Sequence, residues 1–577
     1  MQARGVLLIA LMGVAPSTIA ARYIVKFNRD SVMRQVSYDL QKAQEKTRSE
    51  NNFLALPSQT RAYDFLGVKA TSTKTLSALS MMEVELQGDA QAKQLEAHPE
   101  VAYVEEEIFY NTPAFAPLDD NSAEITWGLQ GVDAVNAWSQ GATGQGARVL
   151  VLDTGIDRNH PDLRENFIEG KSFVHQSVQD IAFKSISSPM NFLFDAFAEE
   201  QPAADYLYFD DVGHGTHVSG TIAAGHNGFG VAGVAPNAKL LAGKVCSRLG
   251  CSSLAIINGL NWAIETQVDV VNMSLGGPVP SRSQMEAAQR VDEANILVVA
   301  ASGNDGEFEK NRISFPAGYP TVFSVGAITP QFERAPFSQY GPDLDIVAPG
   351  TEVDSTVPVG TGRSSKVEII FNGEVQRVNS SSFAGSEENE IPLNGEFVAA
   401  GLGLETDFLD AAKFAGKMAL VQRGQITFAD KVHNALAVGA IGVIIYNNTT
   451  GLISGSITTD GSSVGIPVAM IEKHVGEAII NALNQGHIIE ADVSIERTDY
   501  AGLAGTSMAS PHVAGVAALV RAANPSLSTS QVRELLRSTA TPMNAMVLDN
   551  EYGSGVVNAA TAVRSVFNLN LNLVTQD

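Results

Sequence analysis

A turn of small residues passes into an apolar run in the stretch Gly505-Thr506-Ser507-Met508-Ala509-Ser510-Pro511-His512-Val513-Ala514-Gly515. The run from Val513 to Val520 predicts a buried helix, and Ser507 lies just before it. A serine at the N-terminus of a helix has backbone N–H groups beside it that can stabilise a developing oxyanion. By itself, however, this pattern fits a helix-capping serine better than a nucleophile.

Two upstream stretches contain the partners that a catalytic serine needs. An apolar strand ends in an aspartate in Val149-Leu150-Val151-Leu152-Asp153-Thr154-Gly155-Ile156-Asp157. A histidine begins a helix of small residues in Gly213-His214-Gly215-Thr216-His217-Val218-Ser219-Gly220-Thr221. Aspartate, histidine and serine in this chain order are the acid, base and nucleophile of one form of the serine-hydrolase triad.

Together the three stretches resemble the active-site motifs of the subtilisin-like serine proteases, or subtilases, the family for which this order of the triad is known. The resemblance runs from about Trp127 to the C-terminus, with one large interruption. It implies that Ser507 attacks the scissile carbonyl group of a peptide. His214 would act as the general base, and Asp153 would orient the imidazole and stabilise its charged form.

Each of the two upstream motifs also contains a competing residue of the same type. His217 follows His214, and Asp157 follows Asp153. The family pattern places the base at the first histidine, and Asp153 is the aspartate at the end of the strand. The resemblance therefore favours the pair Asp153 and His214. A buried structural histidine and a helix-capping aspartate are the alternative interpretation.

An oxyanion intermediate needs hydrogen-bond donors, and the resemblance supplies one at Asn304. This residue lies in Ala301-Ser302-Gly303-Asn304-Asp305, directly after a predicted apolar strand. The side-chain amide of Asn304 and the backbone N–H of Ser507 would bind the oxyanion together. The alternative is an asparagine that only shapes a turn beside glycine.

The resemblance also indicates where a peptide substrate would bind. The segment Ser274-Leu275-Gly276-Gly277 resembles the edge segment that pairs with the substrate backbone in subtilases. Gly276-Gly277 and Ser302-Gly303 would line the primary specificity pocket, with Ser314 near its floor. Because we expect no charge there, the sequence predicts tolerance for apolar or uncharged side chains.

A structural calcium ion is a further implication of the resemblance. Asp162 and Asn227 match side-chain ligands of the family's strong calcium site. The backbone carbonyls that could complete the oxygen shell are those of Gly225, Phe229 and Val231. The family's N-terminal ligand has no clear counterpart, since Ala123 falls near that position. A solvated loop without an ion is the alternative.

The composition sets limits on the class of protein. The chain has 577 residues, a formal net charge of −25 and 45% hydrophobic residues. Its length predicts several domains, and its composition is typical of globular proteins. Because no basic run is visible, we expect no nucleic-acid partner. We expect a monomer whose partners are protein or peptide substrates.

Residues 1–21 have the pattern of a secretory signal peptide. Arg4 precedes the apolar run Val6-Leu7-Leu8-Ile9-Ala10-Leu11-Met12, and small residues follow. A membrane anchor is the alternative, but the run is too short to span a bilayer. We therefore expect a secreted protein, extracellular or periplasmic, without a membrane span in its mature form. Export would permit a disulfide between Cys246 and Cys251, with two free thiols as the alternative.

Residues 22–110 predict a small α+β domain, with alternating strands at Arg22-Tyr23-Ile24-Val25-Lys26-Phe27 and Met82-Glu83-Val84-Glu85-Leu86. Its position and the segment Tyr103-Val104-Glu105-Glu106 resemble the inhibitory propeptide of subtilases. Such a propeptide would act as an intramolecular inhibitor until it is cleaved. A permanent N-terminal domain is the alternative. Residues 111–126 would form the linker and processing region.

After the linker, apolar strands alternate with helices that are rich in small residues. Strands as uniformly apolar as Ala147–Asp153 and Ile296–Ala301 are buried on both faces. They predict an α/β fold in which a parallel sheet is flanked by helices. Ligands of such sheets bind beyond the carboxyl ends of the strands, where Asp153 lies. The subtilisin-like catalytic domain would comprise residues 127–358 and 500–577.

Residues 359–499 interrupt this pattern. Strands are predicted at Gly416–Gly424 and Gly442–Asn448, with a helix at Lys431–Val438 between them. The segment resembles the β-rich protease-associated domain that some secreted subtilases carry at this point. An insertion tolerated here must leave and re-enter the catalytic domain at neighbouring points.

The leading hypothesis is a secreted serine endopeptidase that is made as a zymogen and forms an acyl-enzyme. A catalytically inactive binding protein on the same fold is one alternative, but no triad or oxyanion residue is missing. An esterase is another, and it would need a Gly-x-Ser-x-Gly turn with the acid and base after the serine. Both partners precede Ser507 here.

Overall fold

The computed structural model describes most of the 577-residue chain. The predicted signal peptide up to residue 20 and the predicted processing region from 111 to 124 lie outside the described residues. The described ranges are 21–28, 72–86, 89–110, 125–174, 205–389, 391–449, 451–452, 457–458, 462–543 and 549–574.

The chain divides into two compact units. The first contains the residues up to Ile108 together with Ser281–Ser283, and the second contains the remainder. The boundary lies two residues before the predicted end of the propeptide at residue 110, because Phe109 and Tyr110 pair with a strand of the second unit. The inserted segment 359–499 belongs to the same unit as the predicted catalytic residues.

The first unit is a four-stranded antiparallel sheet with one helix. Its elements are β1 (Ala21–Phe27), β2 (Ser72–Leu76), β3 (Met81–Leu86), α1 (Asp89–Glu96) and β4 (Val101–Glu106). The strand order is β2-β3-β1-β4. Along most of β3 the side chains alternate between buried and half-buried, which is the period of two that predicted this strand.

A seven-stranded sheet organises the second unit. From Phe109 the chain forms β5 (Phe109–Tyr110), α2 (Trp127–Gly131), α3 (Ala134–Ser139), β6 (Arg148–Asp153), β7 (Phe167–Ser172), α4 (His214–Ala223), β8 (Lys239–Lys244), β9 (Cys246–Ser247), β10 (Gly250–Ser252), α5 (Ser253–Thr266), β11 (Val270–Met273), α6 (Arg282–Glu293), β12 (Leu297–Ala301), β13 (Val322–Ile328), β14 (Ile346–Pro349) and β15 (Val353–Thr356). The sheet has the order β14-β13-β12-β11-β6-β8-β7, and every pair in it is parallel. The prediction of a parallel sheet is confirmed.

The inserted segment has its own eight-stranded sheet. Its elements are β16 (Gly362–Phe371), β17 (Glu374–Val378), β18 (Ser380–Ser382), β19 (Leu393–Ala399), β20 (Met418–Gln422), α7 (Phe428–Ala437), β21 (Gly442–Tyr446), β22 (Val468–Ile471), α8 (Lys473–Asn484) and β23 (Glu490–Thr498). Strands β19, β20, β21 and β22 are parallel neighbours, and the remaining pairs are antiparallel. The β-rich prediction is confirmed. Helix α7 begins earlier than predicted because Thr427 accepts a hydrogen bond from the backbone N–H of Asp430 and caps it.

The two ends of the insertion lie side by side. Strand β24 (Tyr500–Leu503) pairs antiparallel with β15, so that Thr356 stands opposite Tyr500. The next pair outward is β16 with β23, in which Gly362 stands opposite Thr498. The chain therefore leaves and re-enters the catalytic part at one two-stranded ribbon, formed by β15 and β24.

The long helix α9 (Thr506–Ala523) lies at the centre of the second unit and is buried from Thr506 to Arg521. It begins well before the predicted apolar run, so Ser507 lies inside its first turn. Two further helices follow, α10 (Thr529–Ser538) and α11 (Ala559–Val574). None of the helices in the described part of the chain is long and apolar enough to cross a bilayer.

Candidate active site

Asp153 and His214 form a buried hydrogen-bonded pair. Asp153 is the last residue of β6, and His214 is the first residue of α4. The imidazole Nδ1 lies 2.7 Å from Oδ1 of Asp153, and both side chains are at most 2% exposed. Helix α4 comes this close because residue 215 is glycine, where a Cβ atom would lie 2.2 Å from the carbonyl oxygen of Gly155.

The surroundings of His214 favour its charged form. Burial acts to lower the pKa of His214, but the charge and hydrogen bond of Asp153 and the charge of Asp210 together raise it above its ordinary value. An imidazole that is held by a carboxylate at Nδ1 and has a raised pKa is suited to accept a proton at Nε2.

The two competing residues have other partners. The carboxylate of Asp157 accepts backbone N–H groups from Asn159 and Val359. The Nε2 atom of His217 lies 2.9 Å and 3.0 Å from the carbonyl oxygens of Val353 and Ala501, on the two strands of the ribbon. Burial and the neighbouring His214 lower the pKa of His217 to about 3, so this histidine is neutral. The structure therefore brings together the pair that the sequence favoured.

The hydroxyl of Ser507 lies beside Ser274. Its Oγ atom donates to the carbonyl oxygen of Ser274 at 3.1 Å, and Oγ of Ser274 donates to the carbonyl oxygen of Ser507 at 2.7 Å. The second bond depends on Pro511, which has no N–H to donate to the carbonyl four residues earlier in the helix. The carbonyl of Ser507 is therefore available to Ser274, which links the candidate nucleophile to the predicted substrate-binding segment.

Two hydrogen-bond donors converge next to Ser507. The carbonyl oxygen of the Asn304 side chain accepts from both N–H and Oγ1 of Thr506 at 2.9 Å, which fixes the orientation of the amide. The amide Nδ2 of Asn304 and the backbone nitrogen of Ser507 then lie 3.4 Å and 3.6 Å from the point where residue 505 would carry a Cβ atom. The two donors therefore lie on the same side of residue 505, and glycine there leaves the space beside them free of a side chain, which suits the binding of an oxyanion.

A short strand already occupies the predicted substrate groove. Phe109 and Tyr110 in β5 pair antiparallel with β10, with Tyr110 opposite Cys251. The ring of Tyr110 is buried, and a Cβ atom on Gly277 would lie 2.6 Å from it. Cys246 and Cys251 are joined by a disulfide that links β9 to β10. An extended peptide therefore fits between β10 and the predicted edge segment.

The segments of the predicted specificity pocket contact one another, and a cavity beside them is lined in part by charged side chains. Ser314 donates its N–H to the carbonyl of Ser302, and Phe315 pairs with Gly277. A cavity of about 260 Å³ opens at Ser314. Its lining consists of Pro278, Asp305, Phe308, Glu309, Arg312, Ile313, Ser314 and Gln339. This cavity contains Asp305, Glu309 and Arg312 and shares only Ser314 with the predicted pocket, so the expectation of an uncharged specificity pocket stays a prediction.

The predicted calcium ligands are neighbours, and they are already bonded to one another. The buried carboxylate of Asp162 accepts from Nδ2 of Asn227 at 3.0 Å and from the backbone nitrogen of Val231 at 3.1 Å. The backbone nitrogen of Gly225 donates to the carbonyl oxygen of Asp162, and Phe229 donates its N–H to Asn227. In the described residues, no three His, Cys, Asp or Glu side chains cluster as a metal site would need. The group therefore brings one buried carboxylate and one side-chain amide together.

Comparisons with known proteins agree with this architecture. The sequence profile described as "Subtilase family" matches residues 144–386, and the profile described as "PA domain" matches residues 393–479. Subtilisin E of Bacillus subtilis (strain 168) is 38% identical over 271 residues, which are 47% of this chain. The chain spans 61% of the length of that relative.

Other matches extend over more of the chain. An alkaline protease of Alkalihalobacillus alcalophilus is 31% identical over 471 residues, which are 82% of this chain and 76% of the relative. The crystal structure of the psychrophilic subtilisin-like protease Apa1 from the Antarctic psychrotroph Pseudoalteromonas sp. AS-11 is similar, with a TM-score of 0.53 and 28% identity. That match covers 77% of this chain and 98% of the solved one.

Proposed function

Since the chain belongs to the subtilase family, we propose that it is a secreted serine endopeptidase that hydrolyses peptide bonds in proteins. The observation that carries this proposal is the buried hydrogen bond between Asp153 and His214. The nitrogen donors of Asn304 and Ser507, which lie on the same side of Gly505, support it further. A buried carboxylate–imidazole pair, a serine hydroxyl and two hydrogen-bond donors are the groups that acyl transfer needs.

In the proposed reaction the hydroxyl of Ser507 turns from the carbonyl of Ser274 to Nε2 of His214. As Oγ attacks the scissile carbonyl carbon, its proton passes to Nε2, and Asn304 and the Ser507 N–H bind the negative oxygen. Nε2 then gives the proton to the leaving amine, and an acyl-enzyme remains. Water attacks this ester with the same imidazole as base, which releases the acid and restores Ser507.

We further propose that the chain is made as a zymogen in which residues 22–110 act as an intramolecular inhibitor. The support is the strand Phe109–Tyr110, which pairs with β10 in the manner of a bound peptide. Cleavage within residues 111–126 would release it. The wild-type chain should therefore lose its N-terminal segment on incubation, whereas Ser507→Ala should remain full-length, as gel electrophoresis and N-terminal sequencing would measure.

A structural calcium ion is part of the proposal. Asp162, the side chain of Asn227 and the carbonyls of Gly225, Phe229 and Val231 would hold it, and the support is the buried carboxylate of Asp162, which lies within hydrogen-bonding distance of the Asn227 amide. The ion would stiffen the loop after α4 and would take no part in the reaction. We also propose that the chain is a monomer and that it is secreted through the predicted signal peptide at residues 1–21.

Digestion of casein tests the proposed activity. We expect the full chain to degrade casein and to be labelled at Ser507 by a fluorophosphonate, whereas Ser507→Ala does neither. A folded wild-type chain that leaves casein intact and stays unlabelled would support the inactive binding protein instead. Circular dichroism of both proteins would show that each is folded.

A further inference from the structure

A third carboxylate lies beside the Asp153–His214 pair. Asp210 is 1% exposed and comes four residues before His214, in the segment that leads into α4. Sequence motifs gave no reason to single it out, because it lies outside the small-residue pattern around His214. Its side chain nevertheless accepts five hydrogen bonds, all from neutral donors.

The five donors come from both sides of the candidate triad. One carboxylate oxygen accepts from Oγ1 of Thr154 at 2.7 Å and from the backbone nitrogens of Val212 and Gly213 at 3.1 Å and 2.7 Å. The other oxygen accepts from N–H and Oγ1 of Thr216, both at 2.7 Å. Asp210 therefore binds the residue after Asp153 and the residues before and after His214.

The contact with Thr154 continues to the histidine helix. Oγ1 of Thr154 accepts the backbone N–H of Gly215 at 2.8 Å while it donates to Asp210. The N-cap residue of α4, Gly213, has no side chain to accept the first N–H groups of the helix. The carboxylate of Asp210 takes that role and adds a negative charge at the positive end of the helix.

We propose, on the premise of the proposed function, that Asp210 is a positioning residue of the triad. Its carboxylate holds the start of α4 against the end of β6, so that His214 meets Asp153 in one orientation. It also keeps a second negative charge beside the imidazole. A buried carboxylate that accepts five hydrogen bonds from neutral donors can serve both purposes at once.

The charge effect must be separated from the other charged groups around the site. Those on the packed elements are Asp153 on β6, Lys244 on β8, Asp211 in the same segment as Asp210, His217 on α4 and His512 on α9. Lys244 forms an ion pair with Asp211, whose side chain is 22% exposed. His217 and His512 are neutral, because burial lowers their pKa values to about 3 and about 4.

The test compares Asp210→Asn with Thr154→Val. We expect Asp210→Asn to lower kcat by about a hundredfold, a typical cost of misplacing a reacting group, and to shift the acid limb of kcat/KM to lower pH. Thr154→Val should lower kcat and leave the acid limb in place. It removes the hydroxyl that links Asp210 to the backbone N–H of Gly215, but it keeps the negative charge of Asp210. Titration with a fluorophosphonate would count active sites, so that kcat refers to folded enzyme.

A purely structural Asp210 would give a different result. Asp210→Asn would then lower the melting temperature and the active fraction, but kcat per active site and the acid limb would stay at wild-type values, which would overturn the proposal. An equal shift of the acid limb in the neighbouring variant Asp211→Asn would overturn it too, because the effect would then be one of general charge.

A second measurement does not depend on activity. In the Ser507→Ala chain with labelled histidines, an NMR titration reports the pKa of His214, and adding Asp210→Asn should lower it. If the wild-type chain proved inactive towards casein and the fluorophosphonate, the proposed function would fail, while this titration would still decide the role of Asp210. An unchanged titration of His214 would contradict it.

Discussion

In the described part of the chain, the second unit contains two sheets with parallel strands, and they differ in the polar groups at their carboxyl edges. In the seven-stranded sheet, β6 ends in Asp153, whose carboxylate accepts from His214. In the inserted sheet, β20 and β21 are followed by Arg423 and Asn447, which hydrogen-bond each other at 3.1 Å. Nearby, Lys431 donates to the backbone carbonyls of Leu402 and Gly424.

The difference lies in what approaches each edge. Glycines at 215 and 220 bring helix α4 into contact with the loop after β6 and with the ribbon, so that a titratable side chain meets the carboxylate. At the inserted edge, the polar groups bond with one another or with backbone carbonyls. The edge of a parallel sheet is therefore a place where a site can form, and the neighbouring helix decides whether it does.

The largest expected effect distinguishes the two edges by activity. Asp153→Asn should lower kcat by about 10⁴-fold, because the amide leaves His214 in the wrong tautomer. Arg423→Gln, at the corresponding edge of the inserted sheet, should leave kcat within about twofold of wild type, since that contact serves packing. Steady-state hydrolysis of a chromogenic peptide measures both. If both variants lowered kcat to a similar extent, activity would not distinguish the two sheet edges.

The next effect concerns the oxyanion donors of the catalytic edge. Asn304→Leu should lower kcat by about 100- to 1,000-fold with little change in KM, which is the established cost of losing one such donor. The matched control is Asn434→Leu, which removes an amide that donates to the carbonyl of Gly403 in the inserted segment and should leave kcat near the wild-type value. If Asn304→Leu raised KM and left kcat unchanged, Asn304 would not be a donor that acts in the transition state.

The buried histidines of the catalytic part should make the free energy of unfolding depend on pH, whereas an exposed histidine of the inserted segment should not. His217 and His512 are buried, with pKa values lowered to about 3 and about 4, whereas an unfolded histidine titrates near 6.5. Below about pH 6.5 the unfolded chain therefore binds protons at these histidines that the folded chain does not. The free energy of unfolding then falls until the pH reaches about 4 for His512 and about 3 for His217. We expect a loss on the order of a few kcal/mol across this window.

Thermal unfolding of the Ser507→Ala chain, which cannot digest itself, checks this at pH 7 and pH 4.5. His474→Gln in the inserted segment removes an exposed histidine and should leave the pH dependence unchanged. His217→Gln should make it shallower. A melting temperature that does not fall between the two pH values would count against buried neutral histidines.

The smallest expected effect is that of calcium on the catalytic part. Excess chelator should lower the melting temperature of wild type by a few degrees, as the loss of about 1 kcal/mol does in a chain of this size. Asp162→Asn should abolish the response, and Asp492→Asn in the inserted sheet should keep it. An unchanged melting temperature in chelator would remove calcium from the proposal.

Much of the catalytic edge follows from the sequence. Uniformly apolar strands such as β6 and β12 predict a buried parallel sheet, and polar residues that directly follow them must lie at its carboxyl edge. Asp153 and Asn304 could therefore be identified from local pattern and family resemblance. The helix of Ser507 was predicted to start too late, because Pro511 and the small residues before it hide the helical period.

The parts that escaped prediction depend on distant contacts. Asp210 has an ordinary turn sequence around it, and the hydrogen bonds behind its proposed role form only when Thr154 and Thr216 fold against it. Gln339 lines the cavity at Ser314 and accepts a hydrogen bond from the Ser314 hydroxyl, although the two residues are 25 positions apart in the sequence. In both cases the partner is fixed by the sheet, and local sequence has no pattern for it.

Because the insertion begins and ends on the paired strands β15 and β24, it could be removed at one place in the fold. Since Thr356 and Tyr500 face each other across two antiparallel strands, a tight hairpin turn could close the gap that excision of residues 357–499 would leave. A different module could equally be spliced into the same place without lengthening any connection in the sheet below. Chains of this kind can thus gain or exchange an accessory body through one genetic event while the catalytic core keeps its register.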